Sequence, residues 1–291
     1  MRPVIMSNLP EDGEVRLGPV ALPAGRRVWA GYKSRVPVAW VTSESVTDPG
    51  RVWSVLSQAR PVTGLVPFLL ASMDDRIKGD EETRAVLALA RDAMGRRQGD
   101  DARPWDNDDF IDPADVTELD RMDAAELLTG LWDSYVPPED QDDGGFRMMR
   151  APFSRQFPGL APAERQALSA EQLDRVLRVV SPARIGLAPA ARPADVLPLI
   201  GWAGTINHYH NALPVAAVLR SWEDRFGATL FKVGFDEIRL LVHRPPRTSQ
   251  TAQILAAEQC AFCDECGNGL RDVPSITDLL LTSPFWTFWW D

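Results

Sequence analysis

Apolar residues recur along the chain with two different periods, and the order in which the period changes predicts the architecture. Residues 27–42 (RVWAGYKSRVPVAWVT) are rich in β-branched and aromatic side chains and read as two short strands around a Lys33-Ser34 turn. Asp48-Pro49-Gly50 then offers a helix start, with Val52, Trp53, Leu56 and Ala59 following at helical spacing. Residues 63–70 read as a buried strand, and helices are predicted over 81–97, 115–134 and 163–180. Residues 195–200 read as a further strand. The segment 214–226 has the fullest punctuation: Pro214 sits in its first turn, Gly227 lies just past its end, and Val215, Val218, Leu219, Trp222 and Phe226 share one face. Residues 228–235 and 238–243 read as paired strands around Asp236-Glu237, and Thr248 or Ser249 starts a helix running to about residue 262. Strands interleaved with helices predict an α/β fold, with α+β as the alternative: a mixed sheet flanked by helices.

The chain has 291 residues, 45% of them apolar and 25% charged, which are ordinary values for a globular protein. Its length suits one large domain or two modest ones. The expected division is an N-terminal α/β region over 1–98, an acidic and mainly helical segment over 99–180, and a C-terminal α/β domain over 181–291. Charge sharpens that picture. Between residues 100 and 143, 16 acids stand against two bases, a local charge of −14 in a chain whose total is −10, so the rest carries +4. Such a stretch repels phosphate backbones, which argues against nucleic acid, and it predicts a solvent-exposed appendage suited to a protein with a basic surface. The most apolar short stretch, 65–71, is far below the roughly 20 residues that span a bilayer. Residues 1–15 lack the apolar core of a signal peptide, and the three cysteines crowd into 260–266 instead of forming a disulfide framework. A cytoplasmic protein without a membrane role is the expectation.

Four groups of residues invite a chemical reading. Cys260, Cys263 and Cys266 form a C-x2-C-x2-C run whose thiolates suit zinc or an iron–sulfur cluster, with His208, His210 or His243 as the fourth ligand. The competing reading makes Cys263 a small buried hydrophobe and the run no cofactor site at all. His208 and His210 flank Tyr209 in a loop and present two imidazoles to one side or to solvent. Trp222, Glu223 and Arg225 follow one another on a predicted helix, with Glu223 and Arg225 on the shoulders of its apolar face, where they serve as ion-pair partners or as ligand contacts. Phe285, Trp286, Phe288, Trp289 and Trp290 either close the core or form a stacking platform, and packing is the simpler outcome. The chain contains no phosphate-binding loop, dinucleotide fingerprint, nucleophile elbow or H-E-x-x-H signature, so no residue is assigned as catalytic.

Gly201-Trp202-x-Gly204-x-x-Asn207, Leu219-Arg-Ser-Trp-Glu-Asp-Arg-Phe-Gly-Ala228, Gly234-Phe-Asp236, Arg244-Pro-Pro246, Ala256-Ala-Glu258, Ala261-Phe-Cys263 and the terminal Phe288-Trp-Trp-Asp291 together resemble a bacterial family of unknown function common in high-GC Gram-positives. Thr63-Gly64-Leu65, Arg103-Pro-Trp105 and Pro158-Gly-Leu160 extend the likeness upstream. The family pattern has an aromatic where Cys260 stands and proline where Asp264 stands, which makes a thiolate site peculiar to this chain. The resemblance implies a fold and no chemistry. The leading expectation is therefore a non-enzymatic interaction module, an immunity or accessory factor. The alternative is an enzyme whose small-molecule cleft lies between the 201–207 loop and the 222–225 helix, lined by Trp202, Gly204, Asn207, Trp222, Glu223 and Arg225. A thiolate metal protein is the third reading.

Overall fold

The computed structural model describes residues 9–29, 37–70, 112–138, 144–263, 265–266 and 269–290. Among these residues nine strands form one mixed sheet: β1 (Gly13–Leu17), β2 (Val20–Val28), β3 (Ala39–Thr42), β4 (Val66–Leu70), β5 (Arg184–Ala188), β6 (Ala228–Val233), β7 (Glu237–Val242), β8 (Glu265–Cys266) and β9 (Phe285–Trp289). Their order across the sheet is β1-β2-β3-β5-β4-β6-β7-β9-β8. Every neighbouring pair is antiparallel except β4 and β6, which run parallel. The α/β expectation holds. One sheet takes strands from both the 1–98 and the 181–291 regions, and β5 from the latter is inserted between β3 and β4 from the former.

Helices cover both faces. Ala124–Ser134, Leu213–Phe226, Ser249–Phe262 and Val273–Thr282 pack on one side with Phe68, Leu230, Leu240, Trp286 and Phe288. Pro49–Thr63 and Ala170–Leu177 cover the other, over Trp40, Leu69, Ile185, Leu187, Phe231 and Leu241. Alternate residues of β6 and β9 therefore serve different layers, as the two-residue period of a strand requires. Trp286, Phe288 and Trp290 are buried, and Trp222 stacks on Phe288 at 5.2 Å between ring centroids, so the terminal aromatics build core.

Local chemistry accounts for the helix ends. Asp48 caps the Pro49–Thr63 helix through the Arg51 N–H, and Gly64 closes it at φ 67°, a left-handed conformation that favours glycine. Gly227 does the same for Leu213–Phe226 at φ 62°.

Four sequence expectations change. Residues 195–200 are not a strand: Pro193–Asp195 is a 3-10 turn and Val196–Leu199 one helical turn, in a stretch where Pro193 and Pro198 remove the N–H groups a strand ladder needs. The 163–180 helix shrinks to Ala170–Leu177, started by a Ser169/Gln172 capping box. Upstream of it the backbone is used elsewhere, since the Glu164 N–H donates to the Arg225 carbonyl and the Leu168 N–H to that of His243. The 115–134 helix divides into a 3-10 turn, Val116–Arg121, and the helix Ala124–Ser134, because the Asp123 carboxylate caps the Ala125 and Glu126 N–H groups. Finally, the described part of the acidic segment is no appendage. Leu128 and Trp132 are fully buried in the main core, and the Arg150 guanidinium lies 4.1 Å from the Trp132 ring centroid and donates to its carbonyl. The Lys33-Ser34 turn and the 81–97 helix lie outside the described residues.

Candidate functional site

A cleft of about 290 Å³ opens on the sheet face covered by the Pro49–Thr63 helix, at the edge where β4 and β6 begin and β7 has ended. Trp53, Pro61, Val66, Pro67, Leu173 and Pro193 give it apolar walls. Ser54, Ser57, Gln58, Arg60, Glu223, Thr229 and His243 supply the polar groups. The last turns of two helices, Pro49–Thr63 and Leu213–Phe226, bring Arg60 and Glu223 to it.

These polar groups have unspent hydrogen-bonding capacity. The Glu223 side chain is 19% exposed; its carboxylate accepts from the Ala194 N–H at 3.3 Å and lies 3.5 Å from Arg192 Nε. A carboxylate has about four acceptor sites, so two long contacts leave room for more. Burial pushes its pKa up, and the Arg192 charge, the Ala194 N–H and the Arg60 charge only partly oppose that. Burial pushes the His243 pKa down, with the neighbouring Arg244 adding to the effect, so the imidazole is neutral at neutral pH. The Ser57 hydroxyl is buried and has no partner among the described residues. Arg60 likewise makes no ion pair there. An apolar hollow with a few converging polar groups of shifted pKa is the ordinary form of a small-molecule site.

The residues singled out from sequence are dispersed over three places. Glu223 lines the cleft. Trp222 and Arg225 do not: Trp222 is fully buried, and both close on Glu258, which is itself fully buried. Arg225 Nη1 and Nη2 reach the two Glu258 oxygens at 2.8 and 2.6 Å, Trp222 Nε1 donates at 2.8 Å and the Ala161 N–H at 2.7 Å. That carboxylate is satisfied on every side, the mark of a structural ion pair.

Trp202, Gly204 and Asn207 sit at the opposite sheet edge. Trp202 is fully buried and donates to the Gly234 carbonyl at 2.9 Å. A side chain on Gly204 would meet the Trp202 ring at 2.2 Å, so this glycine is required by packing. Asn207 is exposed and, with His208, His210, Asn211 and Glu118, lines an open hollow of about 430 Å³ by the first turn of Leu213–Phe226. Residues 201–207 and 222–225 thus do not face one another across a common cleft.

The Cys260 thiol donates to the Arg271 carbonyl at 3.2 Å and the buried Cys263 thiol to that of Trp289 at 3.0 Å, so the two engage different neighbours. The Cys266 side chain lies outside the described residues. Among the described residues no group of three His, Cys, Asp or Glu side chains could hold a metal ion.

The comparison with protein families bears on the part of the chain that carries Glu223 and His243. Residues 184–291 match the model of DUF4253, a domain of unknown function. No curated protein and no solved structure matches the chain. The DUF4253 region contributes Pro193, Glu223, Thr229 and His243 to the cleft, whereas Ser57, Arg60 and the Trp53 wall come from outside it. Sequence gave no reason to join Ser57 and Arg60 to Glu223, because only the pairing of β4 with β6 brings them together. Among the described residues no helix is long and apolar enough to cross a membrane.

Proposed function

We propose that the protein binds a small molecule in the Glu223–His243 cleft. One observation carries this reading: Glu223, His243 and Ser57 share a single apolar hollow while each has hydrogen-bonding capacity to spare. Groups left in that state cost free energy until a ligand or water completes them. The reading assigns binding and no catalytic step, and it uses no metal or organic cofactor. It is tested by following the His243 ring resonances by NMR in the full chain against a library of small polar and apolar fragments. Fragments that move His243 but not His208 and His210 support it; a library that moves all three alike, or none, refutes it.

A second reading is favoured by the acidic segment. Asp112, Asp115, Glu118, Asp120, Asp123, Glu126 and Asp133 are all exposed, while Leu119, Leu128 and Trp132 of the same stretch are buried. The carboxylates therefore sit on a face anchored to the body of the protein. In this reading the protein is a cytoplasmic bacterial interaction module, an immunity or accessory factor that meets a basic protein surface and no nucleic acid. Charge reversal of Asp115, Glu118, Asp123 and Glu126 together should abolish salt-sensitive binding to a lysine-rich peptide. Binding that survives the reversal would rule this face out.

A further inference from the structure

The cleft combines a cation and a carboxylate across apolar walls, a pairing that selects the charge of its occupant. We propose that it takes a free amino acid with an apolar side chain, the carboxylate held by Arg60, the ammonium by Glu223, and the side chain packed against Leu173 and the prolines. This rests on the small-molecule reading above and narrows it to one ligand class.

The argument begins with the acceptors. An ammonium brings three N–H donors, and the cleft offers it the spare acceptor sites of Glu223, the Ser57 hydroxyl oxygen and the unprotonated nitrogen of a neutral His243. Glu223 and Arg60 both reach the cleft from the last turn of a helix, where the backbone carries partial negative charge that favours a cation. Arg60 also lines the cleft, close enough for its charge to act on Glu223 but in no ion pair among the described residues, and a guanidinium holds a carboxylate through two parallel hydrogen bonds. A bare amine would leave Arg60 unmatched. A phosphate or a dicarboxylate would set like charge against the largely buried Glu223. A zwitterion avoids both penalties and adds no net charge.

Size agrees. About 290 Å³ lies at the lower end of small-molecule pockets, which run from about 300 to 1,000 Å³, and so suits a ligand as small as one amino acid. The walls of Trp53, Pro61, Pro67, Leu173 and Pro193 offer no partner for a charged side chain.

The test titrates the full chain with leucine, N-acetyl-leucine and leucinamide by calorimetry, with His243 NMR to locate binding. Leucine should bind and move the His243 resonances. Acetylation, which removes the ammonium, and amidation, which removes the carboxylate, should each weaken binding about tenfold or more, as expected for loss of a charge-assisted hydrogen bond. Glu223→Gln should erase the preference for leucine over N-acetyl-leucine, and Arg60→Gln the preference over leucinamide. Equal binding of all three compounds overturns the proposal, since the apolar side chain alone would then be recognised. If other fragments move His243 and amino acids do not, the amino-acid assignment fails and the small-molecule reading stands. If nothing moves it, both fall.

Discussion

Glu258 has no access to solvent, yet four N–H donors from three residues converge on its two oxygens. Replacing it by Leu strands the Arg225 charge, which is only 14% exposed, and leaves the Trp222 indole and the Ala161 N–H unpaired. The expected loss is about 3–5 kcal/mol in urea unfolding, and the double replacement Arg225→Met, Glu258→Leu should recover much of it, because an apolar pair avoids the desolvation cost. Glu223 and His243 differ from this pair in being incompletely matched, and pH should reveal them. The Glu223 pKa is raised on folding, so the stability it contributes is full below its ordinary value of 4.5 and is lost as pH rises through the raised value. Glu223→Gln should remove that loss and leave the protein at least as stable as the parent at neutral pH. The His243 pKa is lowered on folding, so its contribution is present above the ordinary 6.5 and is lost as pH falls toward the folded value. His243→Gln should flatten the stability profile there. Arg60, Arg192 and Asp224 act on Glu223 and Arg244 on His243, and both variants leave these neighbours in place. Melting temperature against pH for each variant checks both signs.

Elements were legible where punctuation and period agreed. The Leu213–Phe226 helix shows both, with proline at its start, glycine past its end and five apolar residues on one face, and β6 and β7 follow from the turn at residues 236–237. β5 was not legible. Its five residues, RIGLA, lie between Pro182 and Pro189, four of them are buried, and Gly186 reads as a breaker. Its glycine is explained only by the partner strand, because a methyl group there would sit 2.4 Å from the Phe68 ring. Gly186→Ala should therefore cost about 1–3 kcal/mol, as overpacking does. Combining it with Phe68→Leu should cost less than the two changes summed, and a fully additive double variant in urea unfolding would exclude this contact as the cause. The site divides in the same way. Glu223 could be found as a carboxylate on the shoulder of an apolar helix face. Ser57 and Arg60 could not, since nothing in their own helix marks them apart from any surface polar residue, and their role depends on a sheet neighbour well over a hundred residues away.

Taken as a whole, the sheet does not divide where the family match begins. Residues 184–291 alone would keep β6, β7, β8 and β9 but leave β5 without either neighbour and β6 without β4. They would also expose Ile185, Leu187, Phe231 and Leu241, whose cover comes from Trp53, Leu56 and Leu177. Expressed alone, that fragment should lack a cooperative thermal transition and should self-associate through its unpaired strand edges; a sharp transition in a monomeric fragment would refute this. The insertion of β5 between β3 and β4 also sets a timetable. About 110 residues separate the end of β4 from the start of β5. At roughly 5–20 residues per second, a ribosome holds β3 and β4 apart for several seconds before the strand that joins them exists. During that interval Trp40, Val41, Phe68 and Leu69 have no sheet partner between them, so the nascent chain, and not the finished protein, is where a chaperone would find its binding site.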